Sequence, residues 1–358
     1  MTVVEYRSNA IVELMQVSEQ DCDERWLKKA LQAAIMVELA TIPPYACGLW
    51  SIKDPAKDRN VFSAIREILF DEMTHLGRVG NILSALGEQP VLADPKSVPE
   101  YPGALPGGVR PELTVQLSGL DKPALRMFSE IEKPDRPLAE AAAMETYTSI
   151  GAFYSRIRDV LRANKDLFRE PGPQIDYDMS ARGLENSVEP IRGWEQADRA
   201  IEAIMQQGEG TTASPENPFP GKKGELAHYY VFLEIHQGRR LINVGEKWEF
   251  RGEEIPMPSV YPMAKVPKGG WATDRKNAPT GAVKLMVEAF NAHYGVLLRS
   301  LEAAWREQND RERNSLVLRA IASMSSMRAL ARVLMQLPLP GNAKATYGPE
   351  FRYSTQNP

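Results

Sequence analysis

The sequence has little of what several large protein classes require. Only two of its 358 residues are cysteines, Cys22 and Cys47, so no disulfide framework is expected and a reducing compartment is indicated. No run of 18 apolar residues occurs, because Glu38 interrupts the longest candidate at 33–42, and this argues against a membrane span. The first residues carry charge too early for a signal peptide. We therefore expect a soluble, cytoplasmic protein without a membrane partner.

The sequence has only a small excess of negative charge. It also lacks the common catalytic motifs. The chain has 43 Lys and Arg against 47 Asp and Glu, a net charge of −4, which argues against a nucleic-acid partner. There is no Gly-rich phosphate loop, no Cys-x-x-Cys pair and no convincing nucleophile–His–acid order. Apolar residues make up 43% of the chain, enough to bury a large core.

Helical periodicity dominates the apolar pattern, and no segment shows convincing strand alternation. The pair Pro43-Pro44 is expected to kink or break the first helix, and Gly87 is expected to end the second. Only residues 248–255 suggest a short extended piece. Helices are predicted over 24–51, 61–86, 138–163, 194–209 and 222–244, followed by a helical hairpin over 282–337 that breaks near Asn309-Asp310.

The 27 prolines cluster between the predicted helices. Long connections in a compact protein often form lids or binding walls. We predict an all-α fold over 1–358 as a single domain: a helical bundle with its core at about 24–245, long Pro-rich loops and the C-terminal hairpin. The proline-rich stretches are 90–123, 171–190, 215–220 and 256–279.

Two of only four histidines follow a glutamate by three residues, in the pairs Glu72/His75 and Glu225/His228. Residues i and i+3 share one helix face, so carboxylate and imidazole can point at the same place. Dimetal carboxylate bundles use two such Glu-x-x-His pairs, plus one Glu from each of two other helices. Glu72 lies in an apolar stripe, where a carboxylate is costly unless it is paired or holds a metal. The alternative is a buried ion pair of Glu72 with His75 or with an arginine.

Glu38 is predicted to face the same site. It lies on an apolar helix face with Leu31, Ile35 and Ile42 as neighbours. It stands 13 residues before Ser51, and Glu72 stands 14 residues after position 58. Consecutive antiparallel helices would therefore place the two carboxylates at one height.

Two residues compete for the remaining single glutamate. Glu209 lies at the end of the fourth predicted helix, at the height of Glu225 in the first turn of the next. Glu145 lies on the third predicted helix among small side chains that leave room for a metal. We prefer Glu209 and retain Glu145. For each of them a helix-end charge or an ordinary polar contact is an equally open interpretation.

Several motifs together resemble a ferritin-like family that includes the iminophenylpyruvate dimer synthases of bisindole (violacein- and rebeccamycin-type) biosynthesis. The resemblance extends over about residues 24–355, although the dimer synthases are much longer chains. Ala152 stands where many relatives carry a polar or acidic residue. The matching segments include 33–45, 70–75, 101–108, 128–134, 149–154, 207–210, 225–230, 334–340 and 348–351.

The resemblance implies a ferritin-like bundle with a metal site, in an enzyme of specialised metabolism that acts on an amino-acid-derived small molecule. We therefore expect a dimetal oxidoreductase with two iron ions per chain, or manganese, that uses O₂ or peroxide. An oligomer is compatible with this interpretation. The alternatives are a non-redox coupling enzyme like the dimer synthases, and a metal-storage or scaffold protein. The expected ligands are Glu38, Glu72, His75, Glu225 and His228, completed by Glu209 or Glu145.

Overall fold

The computed structural model describes residues 4–134, 149–178, 186–208, 214–216, 225–245 and 247–358. The predicted helical bundle is confirmed, and the assignment of one domain stays a prediction. The helices are α1 (Ala10–Gln16), α2 (Glu24–Ser51), α3 (Arg59–Ala85), α4 (Lys122–Ile131), α5 (Ile150–Ala163), α6 (Trp194–Gly208), α7 (His228–Gln237), α8 (Gly281–Ala304) and α9 (Asp310–Leu334). Three antiparallel two-stranded sheets pair β1 (Tyr177–Asp178) with β2 (Ser187–Val188), β3 (Arg239–Val244) with β4 (Lys247–Glu254), and β5 (Pro338–Leu339) with β6 (Asn342–Thr346).

Helix α2 runs through Pro43 and Pro44 without a break, so of the expected kink or break the break is wrong. Pro44 has no N–H to donate to the carbonyl of Ala40 four residues earlier. The hydroxyl of Tyr101, from the loop after α3, donates to this carbonyl instead at 2.7 Å. The backbone oxygen that the proline leaves unpaired is thus satisfied from outside the helix.

Helices α2 and α3 form an antiparallel pair close to the predicted bounds. The side chain of Asp23 caps α2 by accepting a hydrogen bond from the N–H of Trp26. Helix α3 ends at Ala85, and Gly87 follows with φ +74°, the left-handed conformation that favours glycine after a helix. Short capping signals of this kind explain why the sequence located these two helices well.

Helix α4 was not predicted, because its residues stand at the edge of a proline-rich stretch. Pro123 lies in the first turn of α4, where proline is favoured because its missing N–H would be unpaired anyway. The side chain of Asp121 caps the helix by accepting from the N–H of Ala124. The short helix α1 was also missed.

The fifth predicted helix is shorter than expected. It begins at His228 and stops at Gln237, because Gly238 adopts a left-handed conformation with φ +75°. The chain then forms the β3–β4 hairpin, so the extended piece at 248–255 is present but its partner strand at 239–244 was predicted as helix. The described part of the third predicted helix is α5, which begins at Ile150. Residues 135–148 lie outside the described part of the chain.

The C-terminal hairpin of α8 and α9 is confirmed, with its break where it was predicted. Asn309 caps α9 by accepting hydrogen bonds from the N–H groups of Arg311 and Glu312. The hairpin packs on the bundle, where the indole N–H of Trp305 donates to the side chain of Asn81 at 2.9 Å. One apolar core extends from Val4 to Phe351 and includes residues of both parts.

Buried amides hold the proline-rich loops against the helices. The side chain of Asn81 on α3 donates to the carbonyls of Ile175 and Glu189 and accepts from the N–H of Ile175. Gln32 on α2 makes a similar two-way contact with the backbone of Val91. Such fully paired buried amides fix loop positions because an unpaired polar group there would be costly.

Helix α2 is long and apolar enough to cross a membrane by length and composition alone. However, 94% of its most apolar 18-residue window is buried inside the fold. This is the pattern of a core helix in a bundle, and it does not indicate a membrane protein.

Gly80 provides a test of how closely the hairpin packs on α3. A Cβ atom at this position would lie 2.3 Å from the ring of Trp305. We expect Gly80→Ala to lower the free energy of unfolding by about 2 kcal/mol, because overpacking forces the indole to shift. Chemical denaturation followed by circular dichroism measures the change. The control is Gly193→Ala, whose Cβ meets only ordinary contacts; equal stability of the two variants would contradict this packing.

Candidate metal centre

Five side chains that could bind metal meet inside the bundle, although they come from four different helices. Glu38 lies on α2, Glu72 and His75 lie on α3, Glu132 follows the last residue of α4, and His228 is the first residue of α7. None of them is more than 8% exposed. Three carboxylates and two imidazoles are thus concentrated where little water can solvate them.

The five side chains form two overlapping groups that share Glu72. In each group one ligand atom per residue lies within 4.8 Å of the others. Nδ1 of His75 lies 3.4 Å from Glu72 Oε1 and 3.6 Å from Glu38 Oε2. Nδ1 of His228 lies 3.1 Å from the same Glu72 oxygen and 3.8 Å from Glu132 Oε2. This arrangement makes Glu72 the bridging carboxylate of a candidate dimetal site.

Both imidazoles turn Nδ1 toward the centre because their Nε2 atoms are held from outside. Nε2 of His75 lies 2.9 Å from Oε1 of Gln207, an oxygen that can only accept. Nε2 of His228 lies 3.2 Å from the Asp71 carboxylate, which also accepts from the amide of Gln207. The chain His75–Gln207–Asp71–His228 therefore keeps one proton on each Nε2, so that Nδ1 is the nitrogen that a metal would bind in place of a second proton.

The residues present fit metal ions. Nδ1 of His228 is buried and makes no hydrogen bond of acceptable geometry, although three carboxylates surround the ring. A cavity with about 30 Å³ available to water-sized molecules lies among Glu38, Glu72, His75 and Glu132. Buried polar atoms without partners are rare, and a metal ion would supply the partner that His228 Nδ1 lacks beside the carboxylates of Glu72 and Glu132.

Hydroxyl groups orient each of the three carboxylates. Thr41 donates to Glu72 Oε2 at 2.8 Å, and Tyr45 donates to Glu132 Oε1 at 2.5 Å. The hydroxyl of Tyr154 on α5 donates to Glu38. These bonds hold the remaining carboxylate oxygens, so that the others stay directed at the cavity. Burial, followed by the neighbouring carboxylate charges, raises the pKa of both tyrosines well above the usual value.

Burial and the neighbouring charged groups shift the pKa values of the site residues in opposite directions. Burial would raise the pKa of Glu72, but the imidazoles of His228 and His75, whose Nδ1 atoms lie 3.1 and 3.4 Å from Glu72 Oε1, outweigh burial and hold this pKa well below the usual range. Burial raises the pKa of Glu38 to about 6, despite the neighbouring His75. Burial would lower the pKa of His75, but Glu38 and Glu72 raise it to about 10. For the same reason, Asp71, Glu132 and Glu72 raise the pKa of His228 well above the usual value.

The structure brings together four of the predicted ligands, Glu38, Glu72, His75 and His228. It does not add Glu225, and the assumption that Glu225 shares a helix face with His228 is wrong. Helix α7 begins at His228, so Glu225 precedes the helix and is exposed. Glu145 and Glu209 lie outside the described residues, and their proposed roles stay predictions.

Glu132 takes the place beside His228 that the sequence had assigned to Glu225. A signal for it exists, since it follows the apolar positions Leu125 and Phe128 at helical spacing and belongs to a motif shared with the resembled family. It was missed because α4 was not predicted as a helix. Asp71 and Gln207 were also missed, because sequence spacing gives no sign of contacts between helices far apart in the chain.

The chain belongs to the ferritin-like family, whose model matches residues 31–237, more than half of the sequence. That segment contains all five residues of the candidate site. A crystal structure of a ferritin-like protein from Caulobacter vibrioides is similar at 23% identity over 93% of this chain and 99% of that chain, with a TM-score of 0.59. At this identity the similarity shows the fold alone. No curated protein matches the sequence.

Replacing Glu132 tests the site against the original assignment. We expect Glu132→Gln to lower metal content strongly, because the amide keeps the shape but removes a charged ligand beside His228. The matched control, Glu225→Gln, removes an exposed carboxylate and should retain the metal content of the unmodified protein. Elemental analysis after reconstitution measures both. Metal loss in Glu225→Gln alone would restore the sequence-based assignment.

Metal binding should release protons. At pH 7 both His75 and His228 carry a proton, because their pKa values are raised, and each must lose one to ligate through Nδ1. We expect about two protons to be released per chain on loading, and the apparent affinity to fall as the pH is lowered. Titration calorimetry in buffers of different ionisation enthalpy counts the protons. Proton-neutral binding would show that the ions bind elsewhere.

Proposed function

We propose that this protein is a non-heme dimetal oxidoreductase, with two iron ions per chain, that uses O₂ or peroxide to oxidise an amino-acid-derived small molecule in specialised metabolism. The observation that carries the proposal is the pair of buried carboxylate–imidazole groups that share Glu72. Ferritin-like dimetal sites are built from glutamates and histidines on facing helices in this way.

The donor set favours iron or manganese. Three carboxylates with two imidazoles suit iron or manganese better than zinc or copper, which favour more nitrogen and sulfur. Glu38, Glu72 and His75 would hold one ion, and Glu72, Glu132 and His228 would hold the other. When bound, iron would supply the one-electron and oxygen chemistry that protein side chains lack.

The chain's own residues keep water from the centre and orient its acidic groups. The cavity walls beside the carboxylates are apolar, formed by Val37, Ile131, Ile150, Ile204 and Met205. The hydroxyl groups of Tyr154 and Tyr45 donate hydrogen bonds to the carboxylates of Glu38 and Glu132.

A second pocket supports an amino-acid-derived substrate. It has about 670 Å³ of space, and its walls include His228 and Asp71. Both signs of charge line it, with Arg59 and Arg240 among the cationic side chains and Glu67 among the anionic ones. A zwitterionic molecule could pair with both signs beside the candidate centre.

Oxygen consumption tests the proposal directly. Protein reconstituted with Fe(II) without air should consume O₂ on mixing, and a panel of amino acids and their imine or indole derivatives should contain a compound that increases this uptake and is oxidised. Glu72→Gln should abolish both effects, because it removes the shared ligand. Coupling of an imine substrate without O₂ uptake would favour a dimer-synthase-like enzyme. Iron accumulation beyond two ions per chain without turnover would favour storage.

A further inference from the structure

A third cavity lies on the side of α2 and α3 that faces the C-terminal hairpin. Its walls include Leu39 and Ala46 on α2, Leu76 on α3, and Val317 and Ala320 on α9. Leu39 and Leu76 directly follow the site residues Glu38 and His75 in the chain. Because successive helical residues project about 100° apart, these apolar side chains face away from the metal ligands.

The cavity is large for a protein interior and entirely apolar. About 120 Å³ of it is available to water-sized molecules, and every described residue of its wall is aliphatic, aromatic, methionine, proline or glycine. Protein cores hold few voids larger than one water molecule. An engineered apolar cavity of about 150 Å³ stays dry and binds benzene, so a void of this size and lining is suited to an apolar molecule rather than to water.

Aromatic and sulfur-containing side chains are concentrated in this wall. Aromatic rings pack favourably edge-to-face or offset on other rings, and methionine sulfur makes favourable contacts with ring edges while adapting to the shape of a ligand. No described wall residue carries a charge that would recognise a carboxylate or a phosphate. The aromatic members are Trp50, Tyr177, Tyr294, Trp305 and Phe351.

The cavity reaches the surface. Met73, Tyr177, Leu301, Ile321 and Met324 line it and are each partly exposed, whereas Trp305 and Met327 at its inner wall are buried. These partly exposed residues lie on α3, β1, α8 and α9, so this is the side of the cavity nearest the surface. Trp50 and Trp305 are buried in the wall, so a bound molecule would change their fluorescence.

From this geometry we infer that the cavity between the bundle and the C-terminal hairpin is a binding site for an uncharged aromatic molecule of about one ring. The site is separate from the candidate metal centre and does not depend on the proposed oxidoreductase function. Its ligand is held by apolar packing alone, so affinity follows size and shape rather than charge.

Bromobenzene is the probe for this site. It should bind saturably and quench tryptophan fluorescence, because bromine is a heavy-atom quencher and two indoles line the cavity. Crystals soaked in it should show one bromine position between α2, α3, α8 and α9 by anomalous scattering. No bromine in the cavity under saturating conditions would overturn the inference. Saturable binding of decanoate there, with none of bromobenzene, would overturn the aromatic assignment.

Filling the cavity supplies the matched variant. Ala320→Leu places a larger side chain in the wall and should weaken bromobenzene binding at least about tenfold, while iron content stays unchanged. The control is Ala322→Leu, the same change at an exposed position of α9, which should bind like the unmodified protein. Unaltered binding by a folded Ala320→Leu protein would overturn the assignment. Should that variant not fold, the bromine position in unmodified crystals decides.

Discussion

The burial of Glu72 is the constraint on which the rest of the site depends. A carboxylate almost without solvent must be balanced by positive charge, and in this protein two protonated imidazoles or metal ions provide that balance. Glu38 and Glu132 add further negative charge on either side, which strengthens the demand for cations. The geometry of four helices is fixed around this requirement, because each contributes one of the groups that surround the shared carboxylate.

Asp71 and Gln207, which contact the histidines from outside the five-residue cluster, fix the orientation of the groups that balance this charge. A flexible cluster of acids and histidines would bind many ions weakly, but Asp71 and Gln207 fix which nitrogen of each ring faces inward. Asn186 donates to Asp71 from the segment before β2, so the far loop also supports the centre. The ferritin-like bundle supplies the positions, while these polar contacts determine the orientation of the ligands.

Much of the fold was predictable from the sequence, because long amphipathic helices with clear caps give local signals. The same locality explains why Glu72 and His75 were found on one face, and why Glu38 could be matched in height across a single short turn. The prediction that Glu225 shares a helix face with His228 was wrong because helix α7 starts at His228, six residues after the predicted start at 222. Glu132 was missed because Pro123 was interpreted as a loop residue and α4 was therefore not predicted. Proline is in fact favoured in the first turn of a helix. Contacts such as Gln207 with His75 join residues 132 positions apart, and one sequence contains no pattern that reports them.

The hydroxyl of Tyr101 on the carbonyl of Ala40 has a consequence for the order in which the protein assembles. The middle of α2 lacks a local hydrogen bond because of Pro44, and its substitute comes from a residue 61 positions later. The segment of α2 between Glu38 and Tyr45 therefore completes its bonding only when a sequence-distant loop has docked, and contacts of that separation form slowly because a long loop must first close. The last backbone bond of this segment and the position of the Glu38 carboxylate therefore depend on the docking of the same loop.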